Sequence, residues 1–112
     1  MLHQLLNRLS AGEALFTDVI AFIDERYDHT PTAFVNGAQK NLAEENQGSA
    51  KVLSLAKLAG LSAGDTLRLF AEHYESVLSD PNGTNHQNIR QFMQNGWEGV
   101  VFEKEALKPR EL

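Results

Sequence analysis

The side chains best suited to bind or transform a small molecule are two histidines in the second half of the chain. His73 lies at the edge of an apolar helical face, and His86 lies three residues before Ile89, on the inward face of the next helix. An imidazole donates and accepts hydrogen bonds near neutral pH and serves as an acid, a base or an orienting group. We expect His73 and His86 to meet across the helices. The alternative is that His86 is bonded locally at a helix start and His73 covers the core edge.

A polar segment around the start of the third predicted helix supplies a second set of candidates. Asn36, Ser49 and Lys51 lie in or beside it, and the backbone N–H groups of a helix start favour an anionic group. Arg90, on the last helix, is placed to face them. These residues with the two histidines predict a pocket for a small anionic ligand such as a phosphate or carboxylate. Ordinary capping and loop closure are the alternative interpretation.

Other chemically capable residues point less clearly to a site. Three carboxylates and an imidazole crowd the end of the second helix and could form a hard-metal or general-base site, but a solvated helix face is the preferred interpretation: Asp24, Glu25, Asp28 and His29. A zinc site needs close-set histidine or cysteine ligands, and none occur, so no metal and no cofactor are predicted. Trp97 either anchors a partner or packs a strand against the helices. No recognised catalytic motif is present, which leaves open whether the protein is an enzyme.

Composition limits the classes of partner. The chain of 112 residues carries a net charge of −5, from 15 acidic and 10 basic residues that form no basic stripe, so nucleic-acid binding is not expected. No apolar run is long enough to cross a membrane, and no secretory or free secretion leader is recognisable. The absence of cysteine excludes disulfides and fits a reducing compartment. Oligomeric state cannot be read from the sequence.

Apolar spacing and caps predict about five helices that position these residues. The first two cover roughly residues 2–9 and 12–26, separated by a predicted capping box from Ser10 to Glu13. A third starts near Asn46 or Gly48 and ends at Gly60. Ser62 caps a fourth, whose apolar positions run without interruption from residue 67 to 78. The fifth extends from residue 84 or 85 to about 95.

Two short β-prone segments complete the predicted fold. Residues 32–36 and 100–103 each favour a strand, and we expect them to pair because a lone strand leaves its backbone groups without partners. The prediction is therefore an α+β fold, mostly helical, with a short two-stranded β element. Residues 1–105 form a single domain, and residues 106–112 form a frayed C-terminal tail.

Several segments, in order, carry a likeness to a known family. They include Thr30-Pro31-Thr32-Ala33-Phe34, Asn36-Gly37, Gly48-Ser49, Gly60-Leu61-Ser62, Glu72-His73-Tyr74, Asn88-Ile89-Arg90 and Gly96-Trp97. Over residues 10–103 the chain resembles the HopJ family, named after a type III effector of plant-pathogenic bacteria. The resemblance implies a bacterial cytoplasmic protein, with type III secretion in some members. It supplies no catalytic residues.

Three classes of function follow, and the sequence favours the first. The first is a binding or interaction protein related to type III effectors, with an unknown protein partner. The second is a small-ligand binder or small enzyme that uses His73 and His86, with Ser49, Lys51 and Arg90 holding an anionic ligand. The third is a structural subunit of a larger assembly.

Overall fold

The computed structural model describes residues 2 to 110, which form a mostly helical α+β fold. The six α-helices are α1 (Leu2–Ser10), α2 (Phe16–Arg26), α3 (Gln47–Ala59), α4 (Ala63–Arg68), α5 (Glu72–Ser79) and α6 (Gln87–Asn95). The five strands are β1 (Tyr27–His29), β2 (Phe34–Asn36), β3 (Gln39–Asn41), β4 (Val100–Phe102) and β5 (Leu107–Pro109), and a 3₁₀ helix spans Gly96–Gly99. The predicted fold class is confirmed.

The predicted strand pair is present as part of a larger sheet. β2 pairs antiparallel with β4, with Phe34 opposite Phe102, and β3 adds a third strand on the other side of β2. Phe34 and Asn36 are buried whereas Val35 between them is exposed, as strand alternation requires. The sheet therefore presents two polar side chains to the interior, Asn36 of β2 and Asn41 of β3.

A second sheet corrects the expectation of a frayed tail. β5 pairs antiparallel with β1, with His29 opposite Leu107, and the amide of Thr30 donates to the carbonyl of Ala106 at 2.8 Å. Ala106 and Leu107 are buried. The prediction of fraying is thus wrong for residues 106–110, because two apolar side chains and a strand partner order the segment; residues 111 and 112 lie outside the described part of the chain.

The beginning of α2 also differs from the prediction. α1 continues to Ser10, and Gly12 adopts a left-handed φ of 74°, so the capping box at Ser10 does not form. Instead, the Leu15 amide donates to the Asp18 carboxylate at 2.8 Å, and the Phe16 amide donates to Glu72 Oε1 at 2.7 Å. A carboxylate from α5 thereby stabilises the positive end of α2.

The long fourth helix of the prediction is two helices. Ser62 caps α4 by accepting from the Asp65 amide, as expected, but the chain breaks before α5 at Ala71, with φ 53° and ψ −125°. Apolar periodicity continues through the break because Leu67, Phe70 and Val77 are buried on both sides of it. The apolar pattern therefore did not reveal the break between the two helices.

One apolar cluster joins the helices to both sheets. Its largest fully buried side chains come from α2, α3, α6, the sheet and the α4–α5 break: Phe34, Phe70, Phe92, Ile23, Leu53, Leu55 and Leu69. Of the helices within residues 2–110, none combines the length and apolar character that crossing a bilayer requires.

Replacement of Ala71 by glycine tests the strained break. A side chain at positive φ costs on the order of 1–2 kcal/mol, whereas the greater freedom of glycine in the unfolded chain costs about 0.4–1 kcal/mol. We expect the free energy of unfolding of Ala71→Gly, measured by urea denaturation, to equal or exceed that of the parent. The matched change Ala21→Gly, at an exposed site within α2, should lower the free energy of unfolding by about 1 kcal/mol. Equal losses in both variants would contradict strain at Ala71.

Truncation of Leu107 tests the contribution of β5 to the core. Leu107→Ala should reduce the free energy of unfolding by about 2–5 kcal/mol, because it removes a buried side chain and leaves a cavity. Leu58→Ala is the control, since Leu58 is 57% exposed and its loss should change stability by less than about 0.5 kcal/mol. Similar small effects of both changes in urea denaturation would show that the segment contributes little.

Candidate functional site

A cleft of about 460 Å³ opens where the first turns of α3, α5 and α6 meet β3. A volume of this size suits a small organic molecule. Both aromatic and polar residues line it: Phe16, Gln39, Asn46, Gly48, Ser49, Phe70, His73, His86, Gln87, Asn88 and Ile89. Three of the six predicted site residues, Ser49, His73 and His86, are among them.

The starts of α3 and α6 frame the cleft in the same unusual way. The N-cap residues, Asn46 and His86, adopt left-handed conformations with φ 51° and 52°. Within residues 2–110, neither start has a side-chain cap, and the first helical hydrogen bonds come from Ala50 and Ile89. Backbone N–H groups of both first turns are therefore available as hydrogen-bond donors at the cleft.

The two histidines lie in direct contact, as the sequence predicted. Their ring centroids are 5.1 Å apart with planes inclined by 33°, and the half-buried His73 also contacts Phe16 edge to face at 4.8 Å. The alternative of a local hydrogen bond from His86 does not hold in the described chain. His86 is the exposed member of the pair.

The surroundings of His86 lower its pKa from the usual histidine value. Partial desolvation in the cleft is the largest cause, followed by repulsion from His73 and then from Arg90. The ring is therefore neutral near pH 7 and carries one N–H donor and one acceptor nitrogen.

Asn36 lies beneath the cleft and does not line it. It is fully buried, and its Nδ2 donates to the backbone carbonyl of Asn88 at 2.7 Å and to the Asn88 Oδ1 at 3.1 Å. Asn88 and Asn41 exchange hydrogen bonds between their amides at 3.0 and 3.3 Å, and Asn46 Nδ2 donates to Asn41 Oδ1 at 2.7 Å. This asparagine network, comprising residues 36, 41, 46 and 88, connects the sheet to both framing helix starts.

Arg90 faces away from the cleft. Its guanidinium donates to the carbonyls of Asp80 at 2.9 Å and Asn85 at 2.6 Å, and to the Asn85 Oδ1 at 2.8 Å. These bonds hold the loop that delivers His86 to the start of α6. The structure therefore assigns Arg90 to positioning the loop and does not place it beside an anion in the cleft.

Lys51 is likewise engaged elsewhere. Its Nζ contacts Asp24 Oδ1 at 2.7 Å, which joins α3 to α2. The other carboxylates of the predicted acidic cluster form separate ion pairs and do not converge on one site. Glu25 pairs with Arg26, and Asp28 pairs with Arg110. His29 is hydrogen-bonded to Gln47 at 3.2 Å. Among residues 2–110, no three histidine or carboxylate side chains come together as metal ligands would.

Trp97 packs inside the fold. Its indole N–H donates to the carbonyl of Leu61 at 3.2 Å, and its ring contacts Phe92 edge to face at 5.0 Å. The packing interpretation of this residue is therefore the one that the structure supports.

Several cleft residues were missed from the sequence. Phe16, Gln39 and Asn88 were not predicted as site residues, whereas Asn46 belongs to the polar segment that was. One signal was available for Asn88: it is polar and directly precedes the inward Ile89, and a polar residue beside a core position often joins a buried network. For Gln39 the sequence offered no comparable signal, because β3 was not predicted.

Titration tests the environment of His86. Because its pKa is lowered in the folded protein, the unfolded chain binds more protons below about pH 6.5, and folding stability falls as the pH decreases through that range. We expect an NMR titration midpoint for His86 below 6.5. We also expect His86→Asn to lose less stability between about pH 7 and 5 than the parent. His3→Asn, at an exposed site in α1, is the control. A His86 midpoint at or above the usual value would contradict the assignment.

Comparison with known proteins places the chain in a family. A family model described as HopJ type III effector protein matches residues 2–107. The crystal structure described as that of "unknown function protein VPA0580" aligns with a TM-score of 0.90 and 42% sequence identity, covering 98% of this chain and 94% of that chain. No curated protein matches. Because the model spans nearly the whole chain, and the resemblance noted in the sequence extends along the same segments, this chain belongs to the HopJ family.

Proposed function

We propose that this HopJ-family protein binds a small polar molecule in the cleft formed by the starts of α3, α5 and α6. The observation that carries the proposal is the convergence of His73, His86 and Ser49, from three separate helices, on one concave site of about 460 Å³. Imidazoles and a hydroxyl in a cleft of ligand size are the polar groups that orient small molecules in proteins.

Backbone strain gives independent support. Three non-glycine residues within residues 2–110 have positive φ: Asn46, Ala71 and His86. Two of them line the cleft, and the third lies between the cleft residues Phe70 and His73. Strained conformations of this kind cost on the order of 1–3 kcal/mol and concentrate at functional sites. Their clustering around one cleft is what a ligand site would require.

The charge of the ligand is less constrained than the sequence suggested. Arg90 and Lys51, the cations expected to hold an anion, are bonded to loop carbonyls and to Asp24. The donors that remain at the cleft include the backbone N–H groups, the Ser49 hydroxyl and the neutral ring of His86. We therefore propose a polar ligand for which a negative charge is not the recognition feature.

The alternative function is an interaction protein with a protein partner, related to type III effectors. Its support is the family description. Trp97, the residue proposed as its anchor, is bonded to Leu61 within the fold and does not favour it. Residence in the bacterial cytoplasm, secretion, and the lack of nucleic-acid or membrane binding remain predictions.

A thermal-shift screen of metabolites tests the proposal. A ligand at 100 times its Kd should stabilise the protein by about 2.7 kcal/mol, which corresponds to a rise in Tm on the order of 10 °C. We expect the rise to be largely lost in His73→Ala and Ser49→Ala, which remove cleft groups. It should be retained in His3→Ala, which removes a histidine from an exposed site on α1.

Two outcomes would overturn the proposal. One is a broad library without a single stabilising compound. The other is a compound that stabilises the parent, His73→Ala and Ser49→Ala equally, because it would then bind outside the cleft.

A further inference from the structure

Four rings line the cleft in a continuous row that becomes more polar towards solvent. Phe70 and Phe16 have nearly parallel planes, with centroids 6.2 Å apart. Phe16 contacts His73 at 4.8 Å, and His73 contacts His86 at 5.1 Å. The row begins in the core at the buried Phe70 and ends at the exposed His86. Its outermost ring, that of His86, lines the cleft and is exposed to solvent.

Two amide oxygens that line the cleft beside the row accept no hydrogen bond from another group of the protein within residues 2–110. Asn46 Nδ2 is bonded to Asn41, and Gln39 Nε2 is bonded to the carbonyl of Lys40. Across the described chain, residues 2–110, no hydrogen bond reaches Asn46 Oδ1 or Gln39 Oε1. Because the bond to Asn41 fixes the orientation of the Asn46 amide, its oxygen is a preorganised acceptor at the cleft.

These groups select among ligand classes. A purely apolar ligand would cover the two amide oxygens without replacing their hydrogen bonds to water. An anion would find backbone N–H groups at the two helix starts but would also meet the two amide oxygens, and neither Arg90 nor Lys51 would neutralise it because both are bonded elsewhere. A flat molecule with N–H groups at its edge fits both the row of rings and the two amide oxygens. One of its faces stacks on a ring, and its edge donates hydrogen bonds to the amide oxygens.

We propose that the cleft takes a planar nitrogen heteroaromatic ring of nucleobase size, stacked on His86, with its N–H edge donating to Asn46 or Gln39. This inference rests on the proposed small-molecule function and specifies the class of ligand. The net charge of −5 opposes the phosphate backbone of a nucleic acid, so the ligand is a free small molecule.

The test uses isothermal titration calorimetry with nucleosides. Adenosine, guanosine, cytidine and uridine supply the ring, whereas ribose and inorganic phosphate lack it. We expect at least one nucleoside to bind and the two ring-free probes to give no heat of binding. In ¹H–¹⁵N NMR spectra, the binding nucleoside should shift the amides of Gly48, Ser49 and Gln87, which line the cleft.

Two substitutions at His86 separate stacking from folding. His86→Phe keeps a ring but tolerates the left-handed backbone poorly, whereas His86→Asn suits that backbone but has no ring. Stacking predicts that His86→Phe retains affinity within about threefold and that His86→Asn loses on the order of tenfold. Thermal stability should be higher in His86→Asn than in His86→Phe, which is the reverse of the order expected for affinity. A folding defect therefore cannot explain weaker binding by His86→Asn. His3→Asn should bind as the parent does.

These experiments distinguish a failure of the ring assignment from a failure of the proposed small-molecule function. The ring assignment is overturned if phosphate or ribose binds as tightly as any nucleoside, or if His86→Asn binds better than His86→Phe. It is also overturned if no nucleoside binds while other library compounds stabilise the protein through His73 and Ser49. The small-molecule function stands in that case, whereas both proposals fail when no compound of either kind binds.

Discussion

The arrangement of the helices around the cleft depends on hydrogen bonds between buried amide side chains. Asn36, Asn41 and Asn88 are all buried, and the N–H groups of each amide reach their acceptors only if β2, β3 and α6 lie in one register; the Oδ1 of Asn36 has no hydrogen-bond partner within residues 2–110. An unpaired buried amide costs on the order of 1–3 kcal/mol, so a shifted register is penalised several times over. Apolar contacts alone would tolerate small sliding of α6 over the sheet. The asparagine network removes that freedom.

The same network explains why a cleft exists at this place. Asn46 ends the network with its Nδ2 bonded to Asn41, so its side chain does not fold back to cap α3. At α6 the loop is held by Arg90, and the N-cap residue His86 turns its ring towards His73 instead of the helix start. Two helix starts remain uncapped within residues 2–110 because their cap residues serve other contacts. The polarity of the cleft is thus a consequence of how the fold is held together.

Much of the fold followed from local signals in the sequence. The third helix ends at Gly60 as its left-handed cap predicts, and Phe34 pairs with Phe102 as two isolated β-prone segments require. The break at Ala71 was not predictable, because no glycine or proline marks it and the apolar spacing continues across it. Leu107 was missed because three strand residues followed by a polar end carry too little pattern to indicate a strand.

The sequence predicted the candidate site only in part, because it indicates helix faces but not the geometry of loops. The contact of His73 with His86 follows from helix faces, which periodicity predicts. Whether an arginine or lysine faces a ligand or binds its own chain depends on loop geometry, and Arg90 and Lys51 both found partners nearby. Sequence spacing locates a side chain on a face but does not show which acceptor reaches it first.

The pairing of β1 with β5 affects the order in which parts of the chain fold during synthesis. Tyr27 faces Pro109, so this sheet closes a loop of about eighty residues, and the entropy cost of closure grows with loop length. A chain synthesised from its N-terminus therefore carries β1 without a strand partner until β5 has emerged. Throughout that interval, the core position that Leu107 fills stays open, and the edge of β1 is exposed to any extended peptide or chaperone that reaches it.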